Sequence, residues 1–280
     1  MAHAVGFPLS EPLPGAPDKT EVMATLKARV AAITVPDEQQ EPARRAAVTL
    51  GVAAVDGHLP DGGLAPDGVH EVAAVAYGDL PSAIGFCAGL AVRFMGAAGR
   101  SSVVWCTRAG AAFDFGAVYG PGLAAFGLDP ARLLMVEAGH ARDLLWTLEQ
   151  AARLRGLAAV IGDAGPAEAY DLTASRRLQL AARDACVPVV VLRGHGEAAG
   201  GASAALTRWR IAAAPAPGDH VGAPAWTVGL ERARGVPPAR WRLAWDPASA
   251  SFAVPAPEKT RERTALPAGP LAGGRLRAAG

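Results

Sequence analysis

Lysine is almost missing from this 280-residue chain. Only Lys19, Lys27 and Lys259 occur, so nearly all of the 27 basic residues are arginine. The scarcity matters because a phosphate-binding loop uses lysine to hold the terminal phosphates of a nucleotide. Cysteine is scarce too. Cys87, Cys106 and Cys186 are odd in number, far apart and each set in an apolar run. No CxxC or HxxxH pair exists, which excludes the common spacings of a structural zinc site. The three thiols therefore read as buried and free, which fits a reducing compartment and an expected cytoplasmic location. No run of about 18 uninterrupted apolar residues occurs, so no membrane span is expected. The N-terminus lacks a basic start followed by a continuous apolar stretch, so no signal peptide is expected. There is no GxSxG elbow, and none of the six histidines stands in a motif with a nucleophile. His195, between Gly194 and Gly196, reads as a loop residue after a strand.

What is present is apolar bulk. Residues of that kind make up 51% of the chain, enough for a sizeable core in one large α/β domain with tails. The formal net charge is only +1, but it is uneven. Residues 1–199 carry 16 basic and 21 acidic side chains, whereas residues 200–280 carry 11 and 5. A basic C-terminal third is the footprint of a nucleic acid or an acidic partner, although an ordinary solvated Arg-rich surface gives the same count.

The patterning divides the chain in three. Residues 1–47 comprise a Pro-rich disordered segment, a helix over Thr20–Ile33 and a polar linker. Residues 48–254 form the main domain. Short apolar runs at Val69–Ala76, Ser102–Thr107, Leu133–Glu137, Leu157–Ile161 and Pro188–Leu192 read as strands. Helical segments at Ser82–Met95, Gly116–Phe126, Ala141–Leu154 and Leu172–Ala185 come between them. Strands without alternation, each followed by a helix, imply a mainly parallel sheet flanked by helices. From Thr207 the runs Thr207–Ala212, Ala225–Leu230, Arg240–Trp245 and Ser251–Val254 alternate or are short. They predict an antiparallel extension at one sheet edge. Residues 255–280 read as a disordered Arg/Pro/Ala tail.

This order of elements resembles the RecA superfamily core over roughly residues 48–254. That family places a phosphate-binding loop, GxxxxGK[ST], between the first core strand and the first long helix. Here the corresponding segment is AVAYGDLPSA, from Ala74 to Ala83. It holds no Lys or Arg and a single glycine, Gly78. Asp79 adds negative charge where phosphates would lie, Pro81 removes an amide donor, and Ser82 reads as a helix cap. A second nucleotide feature, a carboxylate after the fourth strand, is represented only by Asp163, read as a loop acid past the apolar run. Glu137 ends the third strand, but without a phosphate site it has nothing to activate. No catalytic residue, cofactor or metal is expected, and the chain is expected not to be an enzyme.

Four segments narrow the resemblance: GLAPDGVHEVAA, YGPGLAAFGLDPARLLMVEA, RRLQLAARDACVPVVVLRG and GLERARGVPPARWRLAWDPASASF. On them the chain resembles the ImuA family, RecA-like proteins with a degenerate phosphate loop. The resemblance implies an accessory role in SOS-induced, error-prone translesion DNA synthesis. It also implies as partners ImuB, a Y-family-like polymerase homologue, and, indirectly, an error-prone C-family polymerase. RecA and DNA are further candidate partners. A SulA-like division inhibitor and a RecA-type ATPase with an unorthodox nucleotide site are the alternatives. For contacts to DNA or a partner, the candidates are Arg232, Arg234, Arg240, Arg242, Arg275 and Arg277. The N-terminal helix, through Val22, Leu26, Val30 and Ile33, is a candidate docking element. It could pack on a second copy, on a RecA-like neighbour or on its own core.

Overall fold

The structure is a computed structural model that describes residues 18–33, 46–98, 102–109, 118–165, 169–196, 201–216 and 224–255. In chain order the helices are α1 (Lys19–Ile33), α2 (Ala53–Asp56), α3 (Leu80–Ala98), α4 (Gly120–Ala125), α5 (Ala141–Ala152) and α6 (Leu172–Ala185). The strands are β1 (Val69–Ala74), β2 (Ser102–Arg108), β3 (Leu133–Ala138), β4 (Leu157–Asp163), β5 (Val189–His195), β6 (Thr207–Ala213), β7 (Ala225–Ala233), β8 (Ala239–Asp246) and β9 (Ser251–Ala253). They form one sheet in the order β3-β2-β4-β5-β1-β6-β7-β8-β9. The pairs from β3 through β6 are parallel, and those from β6 to β9 are antiparallel. This is the α/β, RecA-like architecture expected from the sequence. One strand differs in role. The Thr207–Ala213 strand is parallel to β1 on one side and antiparallel to β7 on the other, so it is the seam between the two halves.

The sheet has a core on each face. On one face α3 lies across β4, β1, β5 and β6. Its buried side chains meet an aromatic cluster drawn from the antiparallel half, including Trp209, Trp226, Trp245 and Phe252. The Phe86 and Phe252 rings are 5.1 Å apart, as are Trp245 and Phe252. Gly89 makes this approach possible, because a Cβ there would come within 2.7 Å of the Phe252 ring. Tyr77–Ala97 is long and apolar enough to cross a membrane by length and composition, with a mean hydropathy of 1.4. Its packing across the sheet accounts for that hydropathy as a core helix. Such a helix is apolar because it is covered.

The opposite face is aliphatic, and α5 and α6 cover it. Asp171 caps α6 by accepting from the Ala174 amide at 2.7 Å, and Cys186 ends it in the left-handed conformation at φ 55°. Glu149 of α5 is bound by Arg153, just past the end of that helix, and by Arg177 of α6. In this chain α1 lies on its own core beside α5. Leu26 and Val30 are buried, Met23 is partly so, and Lys19 sits 3.8 Å from Asp143 and over the Trp146 ring. Val22 is half-buried. The Ile33 side chain, the linker after it and the C-terminal tail lie outside the described residues.

All three cysteines are buried thiols. Burial pushes the Cys106 thiol up to about 12 and raises Cys87 as well, where the Asp163 charge adds to the effect. They are packing groups rather than nucleophiles.

His70 is the clearest titrating element of the fold. It is fully buried under α3, where its ring stacks on Phe94. The Ala65 carbonyl can only accept, so Nε2–H donates to it at 2.8 Å. Nδ1 must then accept from the Thr207 hydroxyl at 2.8 Å, and that hydroxyl oxygen accepts from Trp209 Nε1 at 2.8 Å. The neutral ring satisfies this chain, and a protonated ring would break it. Burial lowers the His70 pKa to about 4, opposed by the Ala65 bond and by Asp67. The unfolded chain therefore binds the proton first as pH falls. Stability from this group is complete above the ordinary value of 6.5 and is lost as pH falls toward about 4. The loss should be about 3 kcal/mol. Melting temperature recorded against pH should fall across that window, and His70→Gln should flatten the slope. An unchanged slope in the variant would contradict this assignment.

Candidate functional site

The carboxyl ends of parallel strands are where open α/β sheets place ligands. Here the connection from β1 into α3 is a tight turn, Tyr77–Asp79. The Asp79 carboxylate accepts from the Ala76 amide at 3.1 Å and from the Ala213 amide at 2.9 Å. It thus closes the turn and fastens it to the end of β6. The Ser82 carbonyl accepts from Trp226 Nε1 at 2.8 Å, which anchors the first turn of α3 to β7. Asp163 proves to be the last residue of β4 rather than a loop acid, because the ladder pairs it with Leu192. Burial raises its pKa, opposed by the Gly165 amide and by Arg108. His195 likewise belongs to β5 and meets Tyr77 edge-on at 5.5 Å. Glu137 is exposed on the edge strand β3 and borders a cavity of ≈ 330 Å³ between that strand and α1.

A constellation of charge lies elsewhere, on the face opposite α3. Cross-strand partners point to the same side of a sheet, and every second residue does so along a strand. Glu71 on β1 pairs with Arg208 on β6, which pairs with Arg232 on β7. Arg210 pairs with Gly229, which pairs with Arg240 on β8, and Ala212, Thr227 and Arg242 form the next row. Arg193 stands two residues beyond Val191, the partner of Glu71 on β5. Six arginines from four strands therefore share one face. Among the described strand residues Glu71, Glu231 and, at the end of β8, Asp246 oppose them there, so arginine is in excess on this face.

The inner part of this face is organised by Glu71, whose side chain is 1% exposed. Its Oε2 accepts from Arg208 Nε at 2.6 Å and from Arg193 at 3.4 Å. The Arg193 guanidinium lies over the Tyr170 ring at 5.0 Å. Burial, and then the neighbouring Glu71 charge, raise the Tyr170 pKa well above the ordinary value. Ser203 links the next arginine, because its hydroxyl accepts from both Arg208 and Arg232. Arg232 also donates to the Ser203 and Ala205 carbonyls. Arg210 is held by Glu231 at 2.8 Å and by the Gly196 carbonyl at 2.7 Å. Farther out, Arg240 and Arg242 are exposed, and Arg242 donates to the Pro215 carbonyl at 3.0 Å. The inner charge is thus set against Glu71 and Glu231.

Of the arginines singled out in the sequence, Arg232, Arg240 and Arg242 are brought together. Arg234 lies past the end of β7 in the exposed turn to β8, and Arg275 and Arg277 are outside the described residues. Sequence reasoning missed Glu71, Arg193, Arg208 and Arg210. The signals were available: a lone acid in the apolar strand VHEVAA must be paired, and the Arg-x-Arg spacing of TRWRIA and RWRLAW puts each pair on one face.

Glu71→Gln should destabilise the protein by about 3 kcal/mol, because removing one partner of a buried ion pair strands the others. Urea unfolding of the variant would measure it. A loss within experimental error of zero would mean that the two guanidinium groups find other partners.

No protein-family model matches the chain. Protein ImuA of Caulobacter vibrioides (strain NA1000 / CB15N) is 39% identical over 210 residues, spanning 70% of this chain and 82% of that protein. The same values hold for Protein ImuA of strain ATCC 19089 / CIP 103742 / CB 15. Identity of that level, spread across the greater part of both sequences and joined to a RecA-like sheet, has one consequence: this chain belongs to the ImuA family.

Proposed function

We propose that this chain is a non-catalytic accessory protein of error-prone translesion DNA synthesis in the bacterial DNA-damage (SOS) response, working in the cytoplasm by binding other macromolecules. Family membership supports the mutagenesis-related role. The observation that carries the non-catalytic reading is the engagement of Asp79. In a nucleotide-binding RecA-like protein the β1–α3 connection cradles phosphates with free backbone amides and a lysine. Here a carboxylate already occupies the amides of Ala76 and Ala213, and it would repel a phosphate at that position. The segment is a degenerate phosphate loop on this reading. The partners are an ImuB-like Y-family polymerase homologue and, through it, an error-prone C-family polymerase, with RecA and DNA as further contacts.

Two measurements test this. Purified protein should release no phosphate from ATP above background, with or without magnesium and DNA. The ImuB-like homologue should be retained by the immobilised chain. Magnesium-dependent turnover that survives further purification would sink the non-catalytic reading, and absence of retention would sink the accessory role.

A further inference from the structure

The helices α5 and α6 cover the aliphatic face of the sheet, and their outer surface is basic where they meet. α6 contains three arginines and one carboxylate, Asp184. Its buried residues, Ser175, Leu178, Ala181, Ala182 and Ala185, turn inward. Helical spacing therefore turns Arg176, Arg177, Leu180 and Arg183 outward, and all four are exposed. Leu180, in the middle of these arginines, is 50% exposed. At the seam with α5, the Glu149 side chain is 10% exposed and binds two guanidinium groups, those of Arg153 and Arg177. One carboxylate between two arginines leaves a positive charge in excess. It also holds the two side chains, which are 50% and 60% exposed, so that donors beyond those given to Glu149 reach solvent. Arg176 forms no ion pair among the described residues, and Arg183 has Asp184 beside it at 3.9 Å. The surface is an aliphatic side chain among four guanidinium groups, two of them positioned beforehand. An acidic protein segment uses both parts. Its carboxylates accept from the arginines, and an apolar side chain covers the leucine. A nucleic acid backbone would use the charges and leave the leucine bare.

We propose that the α5–α6 surface docks an acidic segment of a partner protein. An aliphatic residue of that segment sits on Leu180, between carboxylates that meet Arg176 or Arg177 on one side and Arg183 on the other. The proposal rests on the reading that the chain works by binding other macromolecules, and it gives that binding a place and a chemistry. Arg176 and Arg183 stand seven residues apart on α6, ~10 Å along its axis. Two carboxylates placed three residues before and three after an aliphatic residue on a helix are about 9 Å apart, so a short acidic helix matches this spacing.

Selection of a random dodecapeptide library on the immobilised full chain tests this, and the most enriched peptide is then synthesised with a fluorescent label. It should carry an aliphatic residue flanked by Asp or Glu. Fluorescence anisotropy should show binding to the full chain that weakens as salt rises. The double variant R176Q/R183Q should weaken it about ten-fold at low salt. Leu180→Ala should also weaken it about ten-fold, with the salt dependence unchanged, and Leu180→Met should restore it. The three positions are exposed, and thermal melting verifies that each variant is folded. Should Leu180→Ala fail that check, Leu180→Gln serves in its place. Three results would overturn the proposal. No peptide is enriched, or the enriched peptide lacks carboxylates or binds every variant as it binds the wild type. The third is loss of binding in the arginine variant with none in the leucine variant, which would mark a surface for a polyanion such as a nucleic acid. Retention of the ImuB-like homologue by the wild-type chain is the separate readout of the accessory role. Retention without an enriched peptide overturns only the proposal made here, and an enriched peptide without retention overturns only that role.

Discussion

Two adjacent residues of β1 hold the sheet together at its change of direction. His70 points to the aromatic core and meets Thr207, while Glu71 points to the opposite face and meets Arg208. Both partners are consecutive residues of β6. A one-residue slip of β6 would turn each partner to the wrong side and leave a buried histidine and a buried carboxylate unsatisfied. The seam between the parallel and antiparallel halves is therefore fixed by two polar pairs, one in each core. Everything beyond it inherits that register: the aromatic wall of Trp226, Trp245 and Phe252 on one side, and the arginines of β7 and β8 on the other.

The coarse architecture was legible because each parallel strand is a short apolar run and each helix follows at once. The limits of the elements were less so. Strand ends are set by the neighbours they pair with, which is why Asp163 and His195 belong to strands although their own segments look like loops. The predicted helix over Gly116–Phe126 shortens to α4 at Gly120–Ala125, with Pro121 in its first turn and residues 110–117 outside the described region. The arginine face was half legible. Spacing within a strand tells which residues share a side, but only register tells that two strands share it. Glu71 and Arg208 lie far apart in sequence and show no common pattern until β1 and β6 pair.

The turn at Tyr77–Asp79 joins β1 to α3 and is closed from within the chain. The helix still follows the strand, and its first turn still faces the carboxyl edge. Backbone amides that could meet a ligand are met by a side chain of the same chain, so the turn has become part of the scaffold that joins β1 to the antiparallel half.

The central strand also sets when this protein can fold. Thr207 and Arg208 each follow their β1 partners by 137 residues. At ordinary rates of synthesis, on the order of ten seconds pass between the appearance of Glu71 and that of Arg208. During that interval β1 has no neighbour on one side, and until Arg193 appears a carboxylate destined for the interior has no counter-charge. The centre of the sheet, usually the part of a domain that others build on, is here among the last to close.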